Sequence, residues 1–132
     1  MHRTPPATAD AQWSEGELAA WAAGFFDGEG TVGVYGDAKH PYVSMSLPQA
    51  SLSGVPSTLE RFHVAVGAGA ISGPRAIPNQ WSKLPQYRWQ AASFDGVARV
   101  IEILRPYADI VKRRKMDASL ARVREARARR LI

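Results

Sequence analysis

The chain has 132 residues, no cysteine and a formal net charge of +5, and 45% of its residues are hydrophobic. This length suits one domain with its own core, and the lack of cysteine excludes disulfides and thiolate metal sites. No apolar run approaches the roughly 18 residues that span a bilayer. We expect no membrane partner, a disordered Pro- and Ala-rich tail over residues 1–12 without a secretory signal, and one folded domain over residues 13–132.

The charge is unevenly distributed along the chain. Residues 1–104 carry seven Lys/Arg and nine Asp/Glu, whereas residues 105–132 carry ten and three. A basic end of this kind is typical of proteins that bind a polyanion, although a solvated helix face is an equally good explanation. Charge alone leaves DNA, RNA and an acidic membrane surface open as partners.

A capping box predicts the first helix. Ser14 and Glu17 have the S-x-x-E spacing, and the helix that they begin is expected to run to about Asp27. Small residues recur every fourth position along it, so one stripe of the helix has no bulk and lets a second backbone approach closely. This stripe, which we call the small-residue stripe, consists of Ala20, Gly24 and Gly28.

Two carboxylates follow at the end of this helix. Asp27 and Glu29 are flanked by Gly28 and Gly30. Two such helices crossing at the small-residue stripe would bring their Glu29 side chains together, and paired carboxylates suit divalent-metal and phosphate chemistry. The simpler explanation is a glycine turn after a core helix.

Alternating residues predict a hairpin next. Val32 and Val34 share one face of a first strand, and residues 43, 45 and 47 share the inward face of a second, with a turn over residues 36–41. Pro48 is expected to end the second strand or to mark a bulge.

The second half repeats the helix and hairpin approximately. A helix from about Pro56 is closed by Gly67-Ala-Gly69, and strands follow near residues 70–76 and 86–92. A third helix ends before Pro106, and a last helix from about Ala108 carries the basic run. The order predicts an α+β domain with a four-stranded antiparallel sheet and helices on one face.

The stretch AAGFFDGEG, from Ala22 to Gly30, resembles the LAGLIDADG motif of homing endonucleases. The helix ending VAVGAGAI, and the order YRWQA, amphipathic helix, LRPY and basic helix, are similar to the rest of that family's domain, over about residues 14–125. The resemblance implies the αββαββα-type fold. Since the chain has one motif copy, it also implies a homodimer that hydrolyses one phosphodiester on each strand of a long pseudo-palindromic DNA site.

The resemblance also implies a metal site and a dimer contact. Glu29, the acid before the last motif glycine, would bind the cation with the Gly28 carbonyl as a second ligand, although the family more often has Asp there. Mg²⁺ is the expected cofactor, with Mn²⁺ as a substitute and Ca²⁺ supporting binding without cleavage. Asp27 would be structural, tying helix ends across the interface. The interface itself would consist of Ala20, Ala23, Gly24, Asp27 and Gly28.

Two further catalytic roles follow from the resemblance. Gln49 matches a polar residue that orders active-site water, although a surface glutamine in a loop is an equally good explanation. Lys112 matches the basic residue that stabilises charge on the phosphate. Arg113 remains a competitor, because the spacing from Pro106 is one residue longer than in some relatives.

The outward strand faces would read DNA in the major groove. Alternation selects the following residues for this role: Tyr35, Asp37, Tyr42, Ser44, Ser46, Arg75, Arg88 and Gln90. Among them, Arg88 suits guanine and Gln90 suits adenine. The predicted sheet has few cations, so loops and the last helix are expected to supply phosphate contacts.

Three alternatives to cleavage remain open on the sequence: a DNA-binding regulator, an RNA splicing maturase on the same scaffold, and a basic protein that coats nucleic acid. The retained Glu29 favours the enzyme, since a pure binder has no need of two carboxylates beside phosphates. We expect a cytoplasmic location on the nucleoid, or an organelle if the gene is carried by an organellar intron.

Overall fold

A computed structural model of the chain describes residues 13–75 and 84–130. The tail expected over residues 1–12 lies outside the described residues. The elements follow the predicted order: α1 Glu15–Glu29, β1 Thr31–Gly36, β2 Pro41–Ala50, α2 Ser57–Val66, β3 Ala70–Arg75, β4 Gln86–Ala91, α3 Phe94–Leu104 and α4 Ile110–Arg130. None of the described helices has the length and hydropathy needed to cross a membrane.

The four strands form one antiparallel sheet in the order β1-β2-β4-β3. Its inward positions alternate as predicted, and Val43, Met45, Leu47 and Trp89 are fully buried. The helices cover this inner face, and the Trp89 ring lies edge-on to Phe62 of α2 at 4.7 Å. The predicted α+β fold, with helices on one face of a four-stranded sheet, is confirmed.

The first helix begins as predicted. The Ser14 hydroxyl accepts a hydrogen bond from the Glu17 N–H at 3.0 Å, and the Glu17 carboxylate accepts one from the Ser14 N–H at 2.8 Å. The helix extends through Glu29 instead of ending near Asp27. Its last residue therefore lies directly before the first strand, with only Gly30 between them.

The prediction for Pro48 is wrong. Pro48 lies inside β2 and pairs with Arg88 of β4 in an unbroken register. A proline is tolerated here because β1 does not extend alongside this part of β2. The first residue of β1, Thr31, pairs with Ser46. Beyond Ser46, β2 has lost its neighbour on that side, and a strand edge accommodates a residue without an N–H.

The long helix α4 lies beneath β1, β2 and α3. Met116, Ser119, Leu120, Val123 and Ala126 form its buried side. Its other side carries the basic residues, which explains how one helix combines a core face with most of the positive charge of the chain.

Candidate functional site

The end of α1 presents a carboxylate to solvent. Glu29 is the last helical residue and is exposed, as is Gly28 before it. The Gly30 N–H closes the helix with a 2.8 Å bond to the Phe26 carbonyl. A side chain at position 30 would overlap the Phe26 ring. The last motif glycine is thus required by packing.

Lys112 is brought to this same junction from α4. Its ammonium donates a 2.7 Å hydrogen bond to the Gly30 carbonyl and lies 5.5 Å from the centre of the Phe26 ring. The carbonyl that it contacts belongs to the residue directly after Glu29. This geometry favours Lys112 over Arg113, whose buried Nε has no hydrogen-bond partner among the described residues.

Asp27 has a partner within its own chain. Its Oδ2 accepts a 2.9 Å hydrogen bond from the Asp109 N–H, while its buried Oδ1 has no hydrogen-bond partner among the described residues. The tie across an interface that the resemblance implied stays a prediction. Asp109 caps α4, because its carboxylate accepts from the Val111 N–H and its carbonyl from the Arg113 N–H. Asp27 therefore holds the start of the helix that carries Lys112.

The small-residue stripe is open on the surface of the chain. Ala20, Gly24 and Gly28 are exposed, and a Cβ built at Gly24 or Gly28 would meet no atom within 4 Å. Ala23, which we expected at the dimer contact, is fully buried in the core of its own chain. Its side chain therefore has no surface to offer a partner.

The donor set at the end of α1 suits a hard cation shared with a ligand. No group of three or more His, Cys, Asp or Glu residues gathers in the described part of the chain, so one chain provides the Glu29 carboxylate and nearby carbonyls. Mg²⁺ is commonly held by one or two carboxylates, with phosphates and water completing the octahedron. The residues present therefore fit a cation that binds together with a phosphate.

Gln49 lies apart from this junction in its contacts. It faces Tyr87 across β2 and β4, and its amide oxygen accepts a 3.4 Å hydrogen bond from the Thr58 hydroxyl of α2. Within residues 13–75 and 84–130, Lys112 contacts the end of α1 directly, whereas Gln49 makes no hydrogen bond to Glu29 or Lys112. Its role with active-site water stays a prediction.

The outer face of the sheet carries the residues predicted to read DNA. Tyr35 and Tyr42 pair across β1 and β2, with ring centres 5.9 Å apart, and both are about half exposed. The Ser46 hydroxyl is hydrogen-bonded to that of Thr31 at 2.9 Å. Polar and aromatic groups thus cover this face, as alternation predicted.

Ser44 differs from the other outward residues. It lies in the middle of the sheet and is only 7% exposed, because the exposed Gln90 side chain reaches it and donates a 3.0 Å hydrogen bond to its hydroxyl. Ser44 therefore supports the Gln90 side chain, and its own direct contact with DNA stays a prediction.

A shallow groove on β3 and β4 holds the two predicted arginines. Arg75 and Arg88 line it together with Ser72 and Gln86. Ser72 faces Arg88, and Gln86 faces Arg75, across the strand pair. Sequence reasoning did not select Ser72 or Gln86, although the alternation of β4 already places Gln86 on the outward face.

Asp37 has a structural partner set in the β1–β2 turn. Its Oδ1 accepts hydrogen bonds from the N–H groups of His40, at 2.7 Å, and Lys39, at 2.9 Å. The His40 N–H in particular lowers the pKa of this carboxyl below its ordinary value. Asp37 therefore shapes the turn, and its contact with DNA stays a prediction.

Solved structures share this fold. The homing endonuclease I-CvuI, in complex with its target in the presence of calcium, matches 85% of this chain and 69% of its own at 18% identity and a TM-score of 0.65. The archaeal intron-encoded homing endonuclease I-Vdi141I, complexed with DNA, matches 78% of this chain and 64% of its own, with 22% identity and a TM-score of 0.58. The LAGLIDADG meganuclease I-AabMI, bound to uncleaved DNA, matches 71% of this chain and 31% of its own, with 20% identity and a TM-score of 0.54.

No family model and no curated protein sequence matches the chain. The likeness thus lies in the arrangement of the helices and strands, because the sequences themselves are only 18% to 22% identical. The chain has the fold of the LAGLIDADG homing endonucleases, as the resemblance of its motif implied.

Proposed function

We propose that this chain is a homodimeric, metal-dependent endonuclease that cuts both strands of a long, pseudo-palindromic DNA site. The observation that carries the proposal is the junction of α1, β1 and α4. There the exposed Glu29 directly precedes Gly30, and the Lys112 ammonium donates a hydrogen bond to the Gly30 carbonyl. The open small-residue stripe lies on the same helix as Glu29. A structural turn needs neither group.

The dimer follows from the small-residue stripe. Open glycines on α1 let the same helix of a second copy approach closely, and a two-fold axis there brings the two Glu29 carboxylates together. The two strands of a duplex are related by the same symmetry. Each chain would then act on one strand, which is what a double-strand cut requires.

The chemistry is shared between Glu29 and Lys112. Glu29 and the Gly28 carbonyl would hold Mg²⁺, or Mn²⁺ in its place, which would supply charge neutralisation at the scissile phosphate and a lower pKa for the attacking water. Lys112, whose ammonium donates to the Gly30 carbonyl, would stabilise the negative charge that develops on the phosphate. Asp27 keeps α4, and with it Lys112, in place.

The outer sheet face supplies recognition. A twisted antiparallel ribbon fits the major groove, and the exposed Arg88 and Gln90 lie on β4, one of the two central strands of the sheet. Arg88 matches the two acceptors of guanine, and Gln90 the donor and acceptor of adenine. We further propose a cytoplasmic location, where such a protein meets genomic DNA.

Selection of cleavage sites tests the proposal. The full chain is incubated with a randomised duplex library and Mg²⁺, and the cut ends are sequenced. We expect one long site with approximate two-fold symmetry, cut on both strands, and no products with EDTA or with Ca²⁺. Sequence-specific binding without cuts would identify a non-cleaving regulator. Preference for structured RNA over duplex DNA would identify a maturase.

A further inference from the structure

Four cations gather where the C-terminal end of α4 meets the β1–β2 turn. We call this group the turn patch, and its members are exposed: Lys39, Arg127, Arg129 and Arg130. The Arg130 guanidinium donates a 3.0 Å hydrogen bond to the Lys39 carbonyl. The end of the helix is thereby fastened to the turn, which makes the four cations one surface.

The turn patch adjoins Tyr42, one of the exposed residues of the outer sheet face. Arg127 and Arg130 line one hollow together with the outward-facing Tyr42, and the Arg127 guanidinium lies 4.5 Å from the centre of the Phe94 ring. In the part of the chain that the structure describes, none of the four cations is paired with a carboxylate. Their charge therefore remains available to an anion.

The turn patch stands at a defined distance from the candidate site. The helix α4 starts at the candidate site, where Lys112 contacts the Gly30 carbonyl. From Lys112 to Arg130 the helix rises by about 27 Å, at 1.5 Å per residue. The strand β1 covers roughly 20 Å between the same two regions. With 3.4 Å per base pair, this separation corresponds to about six to eight base pairs of duplex.

We propose that the turn patch binds the phosphates of the DNA backbone about six to eight base pairs outside each cut, and that α4 sets this distance. The inference rests on the proposed function and specifies where its duplex is held. Phosphate contacts carry no base preference, so the turn patch fixes the register of the duplex, while the sheet reads the sequence.

A comparison of two double variants on two duplexes tests this proposal. The patch variant is Lys39→Ala with Arg129→Ala. The control is Lys115→Ala with Arg122→Ala, which removes the same amount of charge. Lys115 and Arg122 lie on the same side of α4 as Arg129, two heptads and one heptad nearer the start of the helix. One duplex is the full selected site, and the other ends five base pairs outside each cut. Binding is measured in Ca²⁺ at several salt concentrations.

We expect the patch variant to bind the full duplex at least tenfold more weakly, with a shallower salt dependence, by about one unit of slope for each phosphate that is no longer neutralised. On the trimmed duplex it should bind as well as the unaltered chain. The control should behave alike on both lengths. An equal loss for the patch variant on both duplexes, or no loss on either, would overturn the inference. Failure of the unaltered chain to bind any duplex would instead overturn the proposed function.

Discussion

The two helix–hairpin units of the chain end their helices in opposite ways. The first helix runs through Glu29 into an extended Gly30, and its glycines at 24 and 28 face open space. The second ends at Gly67 in the left-handed region, at φ 62°, where a Cβ would come within 3.1 Å of the Arg99 guanidinium. One end is open and acidic, whereas the other is covered.

The carbonyls at the end of α2 are satisfied from within the chain. The Arg99 Nε donates to the Val66 carbonyl at 3.2 Å, and the Trp89 indole donates to the Ala68 carbonyl at 2.9 Å. The corresponding side chain at the end of α1 is Lys112, which donates to the carbonyl of Gly30, the residue that follows the exposed Glu29. The repeat thus builds the scaffold twice, and within the described residues its first copy leaves an exposed carboxylate and two open glycines at the end of the helix.

The largest effect is expected at the open end of α1. Glu29→Gln keeps the size of the side chain and removes the charge that would hold the cation, so cleavage should fall by orders of magnitude while binding in Ca²⁺ is retained. Cleavage of a labelled duplex measures the first, and a mobility shift the second. Glu15→Gln, an exposed carboxylate at the other end of the same helix, should leave both unchanged. Full activity of the Glu29→Gln chain would remove Glu29 from the site.

The link between Asp27 and Lys112 should give the next largest effect. Lys112→Met should slow cleavage by about 10²-fold or more, as loss of a charge-stabilising donor does. Asp27→Ala should slow it less, because α4 is freed but the lysine remains, and the conservative Asp27→Asn should restore much of the rate.

A double-mutant cycle measures whether Asp27 acts through Lys112. Adding Asp27→Ala to Lys112→Met should cost little beyond the single lysine change. Asp117→Ala is the control, since it removes the Arg105–Asp117 ion pair that ties α4 to the region after α3. Fully additive rates would show that Asp27 acts by another route.

A single substitution can separate assembly from folding. Gly24→Leu adds bulk where the chain itself has no atom within 4 Å, so the monomer should keep its melting temperature. A close helix contact should lose about 1–3 kcal/mol from such overpacking. Sedimentation should then show monomers. Gly67→Ala, at the covered end of α2, should instead lower stability by about 1 kcal/mol without changing assembly. Dimerisation of the Gly24→Leu chain with unchanged affinity would place the contact elsewhere.

The smallest effect is expected in base preference. Arg88→Ala should cost about 1–3 kcal/mol at one base in each half-site and relax the preference there. Arg99→Ala removes the same charge from the helix side of the sheet and should leave the preference as it is. The profile is measured by cleavage of all single-base variants of the selected site. An unchanged profile for the Arg88→Ala chain would place this strand outside the major groove.

Much of the fold could be predicted because it depends on local rules. The Ser14 capping box, the Gly67 exit and the alternation around Trp89 each specify structure within a few residues of themselves. Pro48 was mispredicted because its tolerance depends on where the neighbouring strand β1 ends, which lies outside its own segment.

The contacts of the candidate site were harder to predict than its residues. The resemblance implied Glu29 and Lys112, but the partner of Asp27 lies 82 positions away, at Asp109. Periodicity likewise assigns Ser44 to the outer face without indicating that Gln90 covers it. Such contacts depend on how distant elements pack, and a linear pattern carries no information about that.

A mixed dimer tests the central claim most directly. Two differently tagged chains, one unaltered and one with Glu29→Gln, are expressed together, and the heterodimer is purified through both tags. If each open α1 end acts on one strand, this heterodimer should nick a supercoiled plasmid that carries the selected site and should accumulate the open-circular form without the linear one. Linear product formed at the rate of the unaltered dimer would contradict the account.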